Sequence, residues 1–241
     1  KLITKEALQQ IEENNEKERF TSVVFQEDWH KGVIGIVASR LIETYYRPTL
    51  VFTKSGDKYA ASARSVKGFD VYNALEACTE HLEQFGGHMY AAGMTLKQEN
   101  YQIFKDAFEK EVERTIHPDM LTPEIAVDAE IDFADITPKL IRILKQFEPY
   151  GPQNMTPIFL TKNIKDTGYG KPLGQEDEHL KLFVKQSRSL GTEGIAAIGF
   201  NLGNKIELTT HQKPFQAVYC IDENEWKGKL SLQLRLRDIK Q

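Results

Sequence analysis

"FGGHMYAAGMTL" (residues 85–96) decides how the first half of this chain is read. Upstream, Asp70 is a helix N-cap type, and Val71, Leu75, Cys78, Leu82 and Phe85 recur at helical spacing. The spacing predicts a helix over 71–85. Gly86 and Gly87 then end the helix, and residues 88–96 return as a strand. Two glycines are costly in a mere connection, because glycine loses the most backbone freedom on folding. They make sense where the backbone must come close to something. Exposed amides at Gly86 and Gly87, with the imidazole of His88 beside them, suit an anion. Ala91, Ala92 and Gly93 keep the returning strand low enough for a ligand or another strand to approach. A helix C-cap followed by a structural histidine remains the plain alternative.

Working outward, residues 4–18 form a mostly polar helix that reads as a connector, assigned to 1–18. Residues 21–25, 49–52 and 58–65 are strand candidates. "GVIGIVASRLIETYY" places Val33, Val37, Leu41 and Tyr45 on one helical stripe that ends before Pro48. A helix over 98–114 turns Tyr101, Phe104, Phe108 and Val112 inward. Helices alternating with strands give an α/β plan for residues 19–117. The prolines and polar residues between His117 and Pro123 read as a linker.

Residues 123–241 differ. A strand is predicted at 124–131 and a helix at 137–147. Five short strands follow, at 157–164, 179–186, 194–200, 214–222 and 229–239, with a hairpin turn at 224–228 using Gly228. In the last strand Leu230, Leu232, Leu234 and Leu236 alternate with Ser231, Gln233, Arg235 and Arg237. Five short strands predict a small barrel.

The 241 residues suit one large domain or two of ordinary size, and with 27% charged and 40% hydrophobic residues a folded soluble protein is expected. No apolar run is long enough to span a membrane. Cys78 and Cys220 share no metal-ligand spacing and read as buried thiols, in keeping with a reducing cytoplasm. The net charge of −4 falls on residues 1–120, while 121–241 balance. Neither half is a basic tail, so any nucleic-acid contact must rest on local clusters. The chain starts at Lys1 without an initiator methionine, as a fragment or a processed product does.

Three stretches carry phosphate-type chemistry. His88 with Gly86 and Gly87 is the first. "ASARS" is the second: the guanidinium fork of Arg64 lies between the hydroxyls of Ser62 and Ser65. The third is Trp29-His30-Lys31, just before a glycine and a helix N-terminus, where free N–H groups attract anions. Each has an ordinary structural alternative. There is no HExxH, GxSxG or P-loop, and no histidine–aspartate cluster for a two-metal site. In the second half, His179, Lys181, Phe183 and Lys185 share one strand face, the basic-aromatic pattern of a single-strand binder. Tyr150, Asn154, Trp226, Arg235 and Arg237 are further candidates for such a track, and a solvated strand face is the alternative. Phe147 and Phe159 read as packing residues.

"WHKGVIGIVASRL" with Arg47-Pro48, "SARSVKGFDVYNAL" and "FGGHMYAAGMTL" resemble the DHHA1 domain of the RecJ family, bacterial exonucleases specific for single-stranded DNA. "FEPYGPQNMTPIF", "EHLKLFV", "AIGFNLG" and "NEWKGKLSLQLRLRDI" resemble the OB-fold domain that follows it there. The resemblance implies an α/β DHHA1-type domain followed by a mostly β OB-fold barrel. It implies 5′-to-3′ degradation of single-stranded DNA in cytoplasmic repair and recombination. Two Mn²⁺ or Mg²⁺ ions would be held by a preceding Asp-His-His (DHH) domain, so that this chain binds no metal and is inactive alone. Ser62, Arg64, Gly86, Gly87 and His88 would hold substrate phosphates, and the N-terminal helix would end the connector between the lobes. Implied partners are single-stranded DNA, the DHH domain and other repair proteins. The run Gly151-Pro152-Gln153-Asn154-Met155 departs from the family's glycine-asparagine-proline pattern. Two other readings stay open: a stand-alone nucleic-acid or protein binding module, and part of a phosphodiesterase for oligonucleotides or cyclic dinucleotides.

Overall fold

The computed structural model describes residues 1–186, 194–226 and 228–241. It divides into two compact units, Lys1–Glu124 and Ile125–Gln241. Among the described residues no helix is long and apolar enough to cross a membrane.

The first unit is built on a five-stranded sheet. Its strands are β1 (Ser22–Phe25), β2 (Thr49–Ser55), β3 (Lys58–Arg64), β4 (Gln84–His88) and β5 (Ala91–Lys97), ordered β1-β2-β3-β5-β4. Its helices are α1 (Leu2–Glu13), α2 (Ile34–Thr44), α3 (Val71–Glu76) and α4 (Tyr101–Thr115). Strand alternation sends Leu50, Ala61, Ala63, Ala92, Met94 and Leu96 to one face, against Phe104, Phe108 and Val112 of α4 and Val71 and Leu75 of α3. Truncating a fully buried ring such as Phe104 would cost about 3–5 kcal/mol. The other face packs Val24 and Val51 against Ala7 and Ile11 of α1 and Ile34, Val37, Ala38 and Leu41 of α2. These helices cover only the β1–β2–β3 side.

The connection from α1 to β1 is held by two buried or half-buried charges. Arg47 Nη2 donates to Glu16 O at 2.9 Å, Nη1 to Lys17 O at 2.7 Å and to Arg19 O, and Nε to Ser22 Oγ at 2.8 Å. Glu109 accepts the N–H groups of Phe20 at 2.8 Å and Thr21 at 3.0 Å, together with the Thr21 hydroxyl. Burial pushes the Arg47 pKa down, against the pull of Glu109 and Glu16. With every acceptor in place the guanidinium still carries its charge.

The helix expected over 71–85 is corrected. α3 ends at Glu76, a 3₁₀ turn spans Thr79–His81, and Gln84–His88 is an edge strand paired antiparallel with β5. Asp70 does cap α3, its Oδ1 accepting the N–H of Tyr72 and Asn73. Gly87 explains the change. At φ 151° it sits where a Cβ would lie 2.3 Å from Ala91 O and 2.5 Å from Ala92 Cα, so only glycine lets the two backbones meet. Phe85, expected on a helix stripe, packs its ring 5.3 Å from Tyr72.

The second unit contains β6 (Ala129–Glu130), α5 (Pro138–Lys145), β7 (Phe159–Asp166), β8 (Lys171–Leu173), β9 (His179–Gln186), β10 (Ile195–Gly199), β11 (Phe215–Trp226) and β12 (Lys229–Lys240). The barrel expectation is corrected as well. The strands form a seven-stranded sheet, ordered β6-β7-β11-β12-β10-β9-β8, with β6 and β8 as edges rather than a closed barrel. β7 divides its pairing, meeting β11 over most of its length and β9 over Ile164–Asp166. Two-residue β6 and three-residue β8 are too short for alternation to reveal. The predicted strand at 124–131 contracts to β6. β11 and β12 run longer than expected and turn tightly, with Trp226 opposite Lys229 and Gly228 at φ 74°. Leu180, Leu182, Val184, Phe215, Tyr219, Leu234 and Leu236 form the core with Phe159, while Phe147, expected to pack, is exposed. Cys78 and Cys220 are both buried free thiols, and burial pushes Cys78 up to about 11.

Candidate nucleic-acid interface

On the α2 side of the first sheet, alternation places Ser62 and Arg64 of β3, Ala91, Gly93 and Thr95 of β5, and Gln84, Gly86 and His88 of β4 on one face. Two cross-strand rows result, Ser62–Gly93–Gly86 and Arg64–Ala91–His88. Beyond the cover of α2 these rows lie open. A cavity of about 630 Å³ lies over the first of them, lined by Lys31, Ser62, Gln84, Gly86, Gly93 and Thr95 among others. Its floor is bare: a Cβ on Gly86 would meet nothing within 4 Å, and one on Gly93 only Ala61 O at 3.9 Å.

The N-terminus of α2 borders this face. It has no side-chain cap, and Gly35 lies so close to β3 that a Cβ there would come within 2.9 Å of Arg64 Nη2 and 3.3 Å of Ser62 Oγ. A helix N-terminus, a guanidinium and a hydroxyl therefore converge. Arg64 Nη1 donates to Ala63 O at 2.8 Å, and Lys31 Nζ lies 3.4 Å from Ser55 Oγ. Among the described residues no carboxylate pairs with either cation. His88 Nδ1 accepts the N–H of Tyr90 at 3.3 Å, and His30 Nδ1 that of Gly32 at 3.1 Å. A backbone N–H can only donate, so each neutral ring carries its proton on Nε2, the nitrogen left to face an anion.

Two residues singled out in the sequence are spent on the fold. Trp29 is only 4% exposed and donates Nε1–H to Glu6 Oε2 at 2.9 Å, which makes it the anchor of α1. Ser65 Oγ donates to Phe69 O at 2.8 Å and its N–H to Tyr90 O. Gly87 serves the hairpin. Lys31, Ser62, Arg64, Gly86 and His88 remain along the open face. Gln84 and Thr95 join them, unsignalled in the sequence because only the β4–β5 register puts them there.

In the second unit, β9 buries Leu180, Leu182, Val184 and Gln186 and turns His179, Lys181, Phe183 and Lys185 outward. Lys181 stands directly opposite Lys171 of β8, and Lys185 opposite Lys165 of β7. Like charges directly opposed cost stability, so this ribbon carries an unfavourable term that an anion would relieve. Exposed rings accompany it: Phe183 is 38% exposed, Phe200 57% and Tyr169 77%. His179 meets Phe200 edge-on at 5.2 Å, with Nδ1 accepting the N–H of Asn201. Lys165, Lys171, Tyr169 and Phe200 were missed in the sequence; the first two are legible only from strand register.

The other track candidates separate. Asn154 Nδ2 donates to Phe147 O at 2.6 Å and Pro149 O at 3.1 Å, bracing its own loop. Tyr150 donates to Leu144 O at 2.7 Å, and desolvation pushes its pKa up. It lines a cavity of about 390 Å³ with Arg235, whose Nε lies 3.0 Å from Asp222 Oδ2. Arg237 is exposed on β12. The side chain of Trp226 lies outside the described residues.

No group of three or more His, Cys, Asp or Glu that could hold a metal ion gathers among the described residues. The open face of the first unit offers cations, hydroxyls and N–H donors instead. That donor set fits an anion and does not fit Mn²⁺ or Mg²⁺.

Residues 17–114 match the DHHA1 domain family and residues 127–238 the RecJ OB domain family. The single-stranded-DNA-specific exonuclease RecJ of Bacillus subtilis is 30% identical over 240 residues, covering 98% of this chain and 30% of that protein. RecJ of Escherichia coli is 29% identical over 224 residues, covering 90% of this chain and 37% of that protein. The chain thus spans about a third of the length of these curated relatives. The crystal structure of Thermus thermophilus RecJ in complex with Mn²⁺ shares the fold over 100% of this chain and 34% of that one, with a TM-score of 0.77 at 24% identity. The chain, carrying a DHHA1 domain and a RecJ OB domain in succession, belongs to the RecJ family.

Proposed function

We propose that this chain is the substrate-holding portion of a RecJ-type exonuclease that degrades single-stranded DNA from its 5′ end. Lys31, Ser62, Arg64 and His88, with the α2 N-terminus, bind phosphates of the strand across the bare Gly86–Gly93 floor. The outward face of β9, with Lys165, Lys171 and the exposed rings, binds a further stretch by charge and stacking. Hydrolysis in such an enzyme uses divalent metal ions, for which these residues supply no ligand set. Their part is to bind and orient the strand. The observation that carries the reading is the convergence of Arg64, Ser62 and an uncapped helix N-terminus beside an open, side-chain-free floor.

The test is a titration of labelled single-stranded and duplex DNA, followed by fluorescence anisotropy across a salt series. Tighter binding of the single strand, weakening steeply with salt, is expected, with no degradation in Mn²⁺. Absence of binding at low salt by a folded sample would sink the strand-holding role. Degradation by a sample free of contaminating nuclease would show that the chain holds a hydrolytic centre of its own.

A further inference from the structure

Tyr90 has no part in the phosphate-binding scheme, yet its surroundings suit a second task. It occupies the two-residue turn between His88, which ends β4, and Ala91, which begins β5. The turn is pinned from three sides: Tyr90 O accepts the N–H of Ser65 at 3.0 Å, Met89 O accepts that of Val71 at 3.0 Å, and Tyr90 N–H donates to His88 Nδ1 at 3.3 Å. The ring is nevertheless 48% exposed. The backbone carrying it is thus tied to the histidine that faces the anion and to the residue after Arg64. The adjacent Arg64–Ala91–His88 row carries only a methyl group at its centre. An exposed ring on a fixed turn beside phosphate donors is what base stacking requires, because little freedom remains to be lost on binding.

We propose that Tyr90 is a specificity-determining residue whose ring stacks on the base of the nucleotide held by Arg64 and His88, so that this end of the cleft selects strands with unpaired bases. The inference rests on the phosphate-binding reading of the same face.

The experiment compares two oligonucleotides of equal length and phosphate count, oligo-dT and an abasic strand. They are titrated at low salt into the full chain carrying Lys181→Gln and Lys185→Gln, which reduces binding at β9. The parent is expected to bind oligo-dT about tenfold more tightly than the abasic strand. Tyr90→Ala is expected to abolish that preference while leaving abasic binding within about twofold, and Tyr90→Phe to keep it. Should Tyr90→Ala melt early, Tyr90→Leu, which keeps the bulk without the π face, replaces it. A preference for oligo-dT that survives loss of the ring would overturn the stacking role. Arg64→Ala is expected to weaken both ligands alike; if it changes neither, the phosphate-binding reading itself fails, independently of Tyr90.

Discussion

Gly86 and Gly93 stand directly opposite each other on β4 and β5, and neither puts an atom over the sheet face between them. The pair leaves an open floor beside Ser62, and it makes the cleft testable without harming the fold.

A Cβ fits at both positions, and a β-branched side chain favours extended backbone. Gly86→Val and Gly93→Val are therefore expected to melt at or slightly above the parent's temperature. Each would fill the floor and weaken single-strand binding about tenfold. Calorimetry paired with anisotropy checks both halves, and unchanged affinity would mean that the strand lies elsewhere.

Gly87, next in sequence to Gly86 and paired with Ala92, is the opposite case. A Cβ there collides with Ala91 O and Ala92 Cα, at a φ that side chains rarely adopt. Gly87→Ala is expected to destabilise the first unit by about 1–3 kcal/mol, read from the urea midpoint. A neutral outcome would contradict the β4–β5 pairing.

Lys171 and Lys181 repel each other across β8 and β9. Lys171→Gln should stabilise the second unit by a few tenths of a kcal/mol and yet loosen DNA, lowering the slope of log affinity against log salt by about 0.7. Stability and binding moving in opposite directions would separate a ligand-binding lysine from a structural one.

Tyr219 is buried with its hydroxyl 2.6 Å from Thr161 Oγ1, and desolvation pushes its pKa up to about 12. Its unfolded value is near 10, so the unfolded state releases the proton first. The stabilisation is complete below pH 10 and is lost as pH rises from 10 through 12, amounting to about 2–3 kcal/mol. Urea melts of the second unit at pH 9 to 12 should show this fall, and Tyr219→Phe should remove it.

Local pattern carried much of the fold. The spacing of Phe104, Phe108 and Val112 announced α4, and all three are buried. The alternation in residues 179–186 announced β9 together with the side each residue faces. Where pattern misled, the deciding contact was distant. Val71 and Leu75 do share a helix face, but Leu82 and Phe85 continue the same spacing past a 3₁₀ turn, into extended backbone and a strand. Hydrogen bonds to β5 outweighed the stripe there. β6 and β8 are too short to have a period at all, and through them a predicted barrel gave way to a seven-stranded sheet with two edges.

The candidate site divides the same way. Residue chemistry along the chain determined which groups could meet an anion: Lys31, Ser62, Arg64 and His88 were all visible as types in suggestive company. Tertiary structure alone decided which of them meet. Trp29 was claimed by Glu6, Ser65 by Phe69 and Asn154 by its own loop, while Gln84, Thr95 and Lys171 entered through strand register. Periodicity and capping are properties of neighbours in sequence, so a chain states them by itself. Register, burial and convergence are properties of partners far apart in sequence, and they exist only once the sheet has closed that distance.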